Sequence, residues 1–174
     1  AELSFRRDRF SDVDEWRTEA RKRYRQCLMM PDTGGVPAPE VIRKAQFDGL
    51  DIELLSWQLP YGPTTEAVFL KPAGATGQLP GILALHDHGG VKYFGWEKIA
   101  QTEESVHPEI VRKRDQIYDG TAWANECAKE GYAVLAHDTF LFGSRRIRYA
   151  DLHPELRGDR QEVNRDSQQE VSDY

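Results

Sequence analysis

The stretch GILALHDHGG, residues 81–90, begins as an apolar run and ends as a polar loop with two glycines. A second stretch, YAVLAHD at residues 132–138, repeats this change from apolar to polar. Between them, residues 121–130 have a helical pattern, and Gly131 stands where a left-handed helix cap belongs. Strand, helix and strand in this order predict a βαβ crossover with two parallel strands. Because both apolar runs are nearly continuous, we expect each strand to be covered on both faces.

The residues before this crossover predict a helix followed by antiparallel strands. The helix should begin at Ser11 or Asp12, and apolar residues then recur every three or four positions as far as Leu28. Three short strands are predicted next, over residues 41–47, 50–57 and 65–71. Asp48-Gly49 predicts a hairpin turn between the first two strands. The predicted fold class is therefore α/β with a mixed sheet, antiparallel in its first strands and parallel in its central strands.

The same patterns divide the chain into three parts. Residues 1–40 are expected to form a helical segment that packs on the core, and residues 41–150 carry the strands of an α/β domain. Within that domain, residues 96–120 form a long charged connection, which usually covers a site or forms a lid. Residues 151–174 are polar and are expected to be helical. Because few helices are available to cover the parallel strands, we expect the fold to be incomplete in this chain.

Composition excludes several classes of protein. Of the 174 residues 39% are hydrophobic, and the formal net charge is −6, so nucleic acid is not an expected partner. The apolar stretches are much shorter than a membrane span, and the N-terminus lacks the apolar core of a signal peptide. No membrane partner is expected, and the cytoplasm is the default location. Cys27 and Cys127 fit neither a disulfide framework nor a zinc motif, and we expect both to be buried free thiols.

Polar clusters follow both predicted parallel strands, where ligands bind in open α/β sheets. Residues 86–90 follow the first strand, and His137 and Asp138 follow the second. Polar residues often end a buried strand, and Asp138 could hold a neighbouring loop by hydrogen bonds. Arg145 could bind a substrate carboxylate through two hydrogen bonds, although a surface salt bridge is the more frequent role. Aromatic residues that could line a pocket here, or equally pack in the core, are Tyr93, Phe94, Trp96, Phe140 and Phe142.

Two segments carry a resemblance to a known family. They are LPGILALHDHGGVKYFGWEKIA, residues 79–100, and YDGTAWANECAKEGYAVLAHDTFLFGSRR, residues 118–146. Both resemble the α/β-hydrolase superfamily, and are most similar to its dienelactone-hydrolase-like and acetyl-xylan-esterase-like branch. The leading helix and the first strands also suit that branch, so the likeness covers most of the chain. It implies hydrolysis of an ester or related acyl bond in a small molecule, without a metal or an organic cofactor.

The resemblance also implies roles for the glycine-containing loop. In such enzymes, the loop after the third strand carries an H-G or H-x-x-G-G stretch whose backbone N–H groups form half of the oxyanion hole. Fixed donors in a dry cleft stabilise the negative oxygen of an acyl-transfer intermediate. By this likeness His88 or Gly89 would supply the donor N–H, with Gly90 letting the backbone come close. His86 would be a structural residue at the end of the strand.

The family nucleophile is missing from this sequence. It lies in a G-x-S-x-G elbow after a later strand, followed by an acid and then a His. None of the serines lies in that motif; they stand at positions 4, 11, 56, 105, 144, 167 and 172. Gly143-Ser144-Arg145 comes nearest, but it follows the wrong strand and lacks the second glycine. The resemblance therefore implies the N-terminal half of a hydrolase domain, completed by the same or a second chain; a homo-oligomer stays open.

Two other readings of the histidines remain open. His86 and His88 are two positions apart and could form a metal pair, as in metal-dependent hydrolases with an HxH motif. Such a site needs three or four ligands, and the other candidates in the sequence are His107, His137, Asp138 and His153. The histidines could also merely satisfy hydrogen bonds at a strand end, in a non-catalytic α/β module used for binding. We favour the oxyanion loop because it explains the apolar strand, the glycines and the aromatic residues together.

Overall fold

The computed structural model describes residues 2–6, 8–148 and 151–157. The chain divides into two compact units, Ala1–Gly35 and Val36–Tyr174. The first unit contains α1 (Val13–Leu28), which begins where the side chain of Asp12 accepts hydrogen bonds from the backbone of the first turn. Of the two predicted starting points, the structure therefore selects Asp12. No residue of α1 is buried, and the packing of residues 1–40 on the core stays a prediction.

A mixed five-stranded sheet forms the centre of the second unit. Its strands are β1 (Glu40–Phe47), β2 (Leu50–Trp57), β3 (Thr65–Pro72), β4 (Gly81–Ala84) and β5 (Ala133–His137). They lie in the order β1-β2-β3-β5-β4. β1 with β2, β2 with β3, and β3 with β5 are antiparallel, whereas β4 and β5 are parallel. The βαβ crossover thus predicts the parallel pair correctly. The expectation that the parallel strands are central is wrong for the described sheet, which is mostly antiparallel and has β4 at its edge.

The predicted turn residues have the backbone conformations that their positions require. Asp48 and Gly49 join β1 to β2 with φ values of 51° and 76°, since a two-residue hairpin turn of this kind needs positive φ at both positions. Helix α3 (Trp123–Lys129) lies within the predicted range and is followed by Gly131 with φ 99°. Glycine tolerates this region because it has no Cβ.

The hydrophobic core lies between the sheet and α3. Helix α3 packs on β3 and β5, and the chain's half-buried cysteine, Cys127, packs against the same core. The fully buried core side chains include Leu50, Ile52, Val68, Leu70, Ala124, Ala128, Val134 and Ala136. Cys27 is exposed, so the expectation that both thiols are buried is wrong for Cys27.

Strand β4 differs from the prediction in its burial. It stands at the edge of the described sheet and pairs there with β5 alone. Leu83 is 62% exposed and Leu85, just after the strand, is 57% exposed. The expectation that this strand is covered on both faces is therefore wrong for the described residues, because none of them packs over these two leucines.

The long connection between β4 and α3 is ordered and carries a helix. Helix α2 (Pro108–Ile117) begins after His107, whose side chain accepts the N–H of Glu109. Arg114 is buried and donates to the backbone oxygens of residues 97, 98 and 100 at 2.9–3.1 Å. This guanidinium therefore ties α2 to the preceding turn.

Only the start of the predicted polar C-terminal segment falls within the described residues. There α4 (Pro154–Arg157) forms a single turn. Residues 158–174, for which a helix was also predicted, lie outside the described residues. Among the helices of the described part, none is long and apolar enough to cross a membrane.

Candidate active site

The two predicted polar clusters lie side by side at the carboxyl ends of β4 and β5. The connection between them is His86, whose Nε2 accepts the backbone N–H of Thr139 at 3.2 Å and lies 3.1 Å from its hydroxyl. His86 Nδ1 lies 2.8 Å from the backbone oxygen of Asp87. This pattern assigns the proton to Nδ1 and leaves Nε2 as the acceptor. Burial lowers the pKa of His86, which agrees with a neutral ring that links the two loops.

Asp87 organises the loop that follows β4. Its Oδ1 accepts the N–H of Gly89 at 2.7 Å, and its Oδ2 accepts the hydroxyl of Tyr118 at 2.9 Å. The same hydroxyl accepts the backbone N–H of Asp87 at 2.9 Å. Burial by itself would raise the pKa of Asp87, but the charge of Lys98 and these hydrogen bonds outweigh it and hold the pKa below its usual value. The carboxylate therefore stays ionised and fixes the loop.

Lys98 is a buried cation beneath this loop. Its side chain is 1% exposed, and Nζ lies 3.8 Å from Asp87 Oδ1 and 3.3 Å from the Asp87 backbone oxygen. Nζ also lies 4.4 Å from the ring centroid of Phe142, a favourable cation–π distance. Burial lowers the pKa of Lys98 to about 8, although the charge of Asp87 opposes the shift. Sequence reasoning missed this residue, because a lysine in a charged segment is usually on the surface.

Tyr118 completes the set of groups around Asp87. Burial, followed by its hydrogen bond to Asp87, raises the pKa of Tyr118 to about 12. The hydroxyl therefore remains protonated and continues to donate to Asp87 over a wide pH range. The sequence contained no local signal for this contact, since the two residues are 31 positions apart.

The loop conformation distinguishes between the predicted oxyanion donors. The N–H of Gly89 is taken by Asp87, and the N–H of Gly90 donates to the backbone oxygen of His88 at 2.5 Å. No described residue accepts the N–H of His88. Gly90 has φ 84°, and a Cβ on Gly89 would overlap the carboxylate of Asp87. Of the two predicted donors, His88 is therefore the one that this conformation leaves available.

Asp138 holds the loop that follows β5. It is 3% exposed, and its two carboxylate oxygens accept the backbone N–H groups of Trp96 at 2.9 Å and Ser144 at 2.7 Å. A Cβ on Gly95 or Gly143 would overlap this carboxylate. His137 Nδ1 lies 3.0 Å from the Asp138 backbone oxygen. Asp138 thus joins two loops at the same end of the sheet.

A polar cleft of about 830 Å³ opens beside Asp138 and the first part of β3. Of the predicted aromatic residues, Tyr93 and Trp96 line this cleft. Phe94 and Phe142 are buried in packing, and Phe140 is 57% exposed. Residues 86–90 are not among the described residues that line the cleft. The candidate loop and the cleft are therefore neighbours at one end of the sheet, joined through Asp138 and its partners.

Arg145 is buried, at 8% exposure, rather than on the surface. No described carboxylate forms an ion pair with it, so the surface salt bridge expected from sequence is wrong. Its guanidinium carbon lies 5.9 Å from the ring centroid of Tyr61 and 5.7 Å from that of Phe140. The neighbouring Arg146 instead lies over Tyr93 at 4.3 Å and donates to the Gly143 backbone oxygen.

The described residues offer no cluster for a metal ion. No group of three or more His, Cys, Asp or Glu side chains among them is arranged to hold one. Both ring nitrogens of His86 are also engaged with protein groups. His86 therefore has no free nitrogen with which to bind a metal in this conformation.

Comparison with known proteins relates this fold to an esterase structure. No family model and no curated protein matches the chain. A crystal structure from Bacteroides fragilis, of a protein described as a "putative acetyl xylan esterase", matches with a TM-score of 0.62 and 26% sequence identity. The match covers 83% of this chain and 35% of that one, so the chain spans about a third of its length. The chain therefore has an ester-hydrolase-like fold over the region that the two proteins share.

Proposed function

We propose that this chain is the N-terminal part of an ester or acyl-bond hydrolase of the serine-hydrolase type. The proposal includes membership of the dienelactone-hydrolase-like and acetyl-xylan-esterase-like branch. One observation carries it: a tightly held glycine loop follows the parallel strand β4 and leaves the N–H of His88 without an acceptor among the described residues. The likeness to the esterase structure supports the same reaction class.

In the proposed reaction, the backbone of this loop performs the chemistry assigned to the chain. A nucleophile adds to the carbonyl carbon of a small-molecule ester, and the carbonyl oxygen becomes negatively charged. The N–H of His88 donates a hydrogen bond to that oxygen, as one donor of an oxyanion hole. Asp87 holds the loop in place, since its carboxylate accepts the N–H of Gly89 and the hydroxyl of Tyr118 while its own N–H donates to that same hydroxyl. His86 joins this loop to the one that follows β5.

The nucleophile and the rest of the triad are proposed to lie in further polypeptide. Exposed Leu83 and Leu85 at the edge of the described sheet support this, because an apolar edge strand ordinarily pairs with another strand. The match to only 35% of the esterase chain agrees with a larger complete domain. The additional strands would continue the sheet beyond β4, in the same chain or in a partner.

The coding sequence provides the first test. We expect a G-x-S-x-G or G-x-C-x-G elbow within about a hundred residues after Tyr174, or in a partner encoded beside it. If the following sequence, or a partner that co-purifies with this chain, contains no such elbow, the serine-hydrolase proposal fails.

A pair of substitutions at His88 provides the second test, in the complete protein and with p-nitrophenyl acetate as the substrate. His88→Pro removes the backbone N–H and should lower kcat by about 10²–10³-fold, the usual cost of losing an oxyanion donor. His88→Ala keeps the N–H and should lower kcat by less than about tenfold. Circular dichroism would check that both variants remain folded.

The alternatives predict different results in the same experiment. Equal losses in His88→Ala and His88→Pro would mean that the imidazole acts, as a metal ligand or an acid–base group, and would overturn the backbone role. Absence of turnover on a panel of activated esters by the complete, folded protein would favour a non-catalytic binding module.

A further inference from the structure

Arg145 carries two buried N–H groups that the protein does not satisfy. Its Nε and Nη2 have no hydrogen-bond partner, and in the described part of the chain the only other such buried side-chain atom is Oγ1 of Thr65. Arg145 is 8% exposed and Thr65 is 1% exposed. A charged donor kept from water without an acceptor is costly, so such a group usually has a partner.

These unsatisfied groups belong to neighbouring segments. The N–H of Glu66, next to Thr65, donates to the hydroxyl of Ser144, next to Arg145, at 2.9 Å. On the other side of the guanidinium, a Cβ on Gly62 would come within 3.6 Å of Nη2. Arg145 therefore lies between the start of β3 and the turn that precedes it, at the same end of the sheet as the candidate active site.

Two aromatic rings cover the guanidinium without satisfying its N–H groups. Tyr61 and Phe140 lie at cation–π distance, and these contacts compensate part of the lost hydration of the charge. A ring face is not a substitute for a hydrogen-bond acceptor in the guanidinium plane. Tyr61 is 37% exposed and Phe140 is 57% exposed, so both rings lie at the surface and are not held in the core.

We propose that Arg145, assisted by the hydroxyl of Thr65, binds the carboxylate group of a small molecule. The Nε–H and Nη2–H bonds point in parallel from one edge of the guanidinium, which matches the two oxygens of a carboxylate. The ligand would bring both the missing acceptors and the missing negative charge. A small molecule fits better than a protein segment, since the cover consists of two side chains that can rotate. The proposal concerns binding only and does not rest on the hydrolase activity.

The test is calorimetric titration of the complete protein that contains this chain with sodium acetate and sodium benzoate, with sodium chloride at equal ionic strength as the reference. We expect saturable binding of one carboxylate per chain. Arg145→Met should abolish it, and Arg145→Lys should weaken it by about tenfold or more, because lysine lacks the planar pair of donors. Arg148→Met, which removes an exposed arginine three positions further along the chain, should bind like the wild type.

Thr65→Val keeps the arginine and tests the site even if Arg145→Met fails to fold. It should weaken acetate or benzoate binding by about fivefold, which is the range for one lost hydrogen bond. The proposal is overturned if neither carboxylate binds saturably to the wild type, or if Thr65→Val and Arg145→Lys both bind as tightly as the wild type. A loss of thermal stability in these variants without a change in carboxylate affinity would show a purely structural role.

Discussion

The two loops at the carboxyl end of the sheet begin with the same dipeptide but are held in different ways. In His86-Asp87 and in His137-Asp138, the histidine Nδ1 lies within hydrogen-bond distance of the next residue's backbone oxygen, at 2.8 and 3.0 Å. The aspartates then diverge. Asp138 accepts two backbone N–H groups, whereas Asp87 has Tyr118 and Lys98 as partners as well as one backbone N–H.

The loop after β5 is thus held by backbone contacts, whereas the loop after β4 is held partly by ionisable side chains. Backbone N–H groups do not titrate and are present whatever the side chain of their residue, so the contacts of Asp138 do not depend on the ionisation of a partner. Asp87 instead depends on two ionisable side chains whose own pKa values are shifted by burial. The loop that carries the candidate oxyanion donor is thus the one whose support responds to pH and to remote substitutions.

The largest expected effect comes from Asp138, which holds the loop after β5. Asp138→Ala leaves the N–H groups of Trp96 and Ser144 without their charged acceptor in a buried place. Hydrogen bonds to charged groups contribute about 1.5–3 kcal/mol each, so the loss of two should lower the free energy of unfolding by about 3–6 kcal/mol. Urea unfolding followed by tryptophan fluorescence measures it.

Asp138→Asn is the matched variant. It keeps one acceptor oxygen and should lose about half as much stability as Asp138→Ala. A loss below about 1 kcal/mol in the alanine variant would mean that water replaces the carboxylate, and the contrast between the two loops would disappear.

The second effect is a rise of stability with pH that originates at Lys98. Its pKa is about 8 in the folded protein and 10.5 in the unfolded reference. Between these values the unfolded chain binds more protons, so the stability increases as the pH rises from 8 towards 10.5. A shift of this size corresponds to about 3 kcal/mol at most. Urea unfolding at a series of pH values from 7 to 10 measures it.

Two lysine variants isolate the source of this rise. Lys98→Met removes the titrating group and should flatten the profile. Lys22→Met changes an exposed lysine of α1 and should leave the rise in place. If the wild-type stability is constant or falls between pH 8 and 10, or if Lys98→Met retains the rise, Lys98 does not control the stability here.

Local sequence signals predicted the parts of the fold that depend on neighbouring residues. The positive φ at Asp48-Gly49 and at Gly131 follows directly from residue type. The continuous apolar runs in β4 and β5 identified the parallel pair. The position of the polar clusters after these strands also follows from topology alone, because the carboxyl ends of parallel strands meet at one edge.

The errors concern residues whose environment is set by distant partners. Lys98 and Arg145 are buried although both lie in charged segments. Their burial depends on Asp87, which pairs with Lys98, and on Tyr61, which lies near Arg145, and a local sequence pattern does not include these partners. Leu83 is exposed because no described residue packs over it, and the neighbouring sequence does not determine whether one does. Likewise, the choice between His88 and Gly89 as donor depends on how Asp87 turns, a property of the folded loop.

The smallest effect tests the hydrogen bonds between Tyr118 and Asp87 in the loop after β4. Tyr118→Phe removes the hydroxyl that donates to Asp87 Oδ2 and accepts the Asp87 N–H, and it should lower the free energy of unfolding by about 1–2 kcal/mol. Because the pKa of Tyr118 is raised from 10 to about 12, its contribution is complete below pH 10 and is lost as the pH rises towards 12. Unfolding at pH 8 and pH 11 should therefore show a smaller difference between variant and wild type at the higher pH. Tyr132→Phe, at an exposed tyrosine, is the control and should match the wild type. An equal loss at both pH values would mean that Tyr118 supports the loop by packing alone.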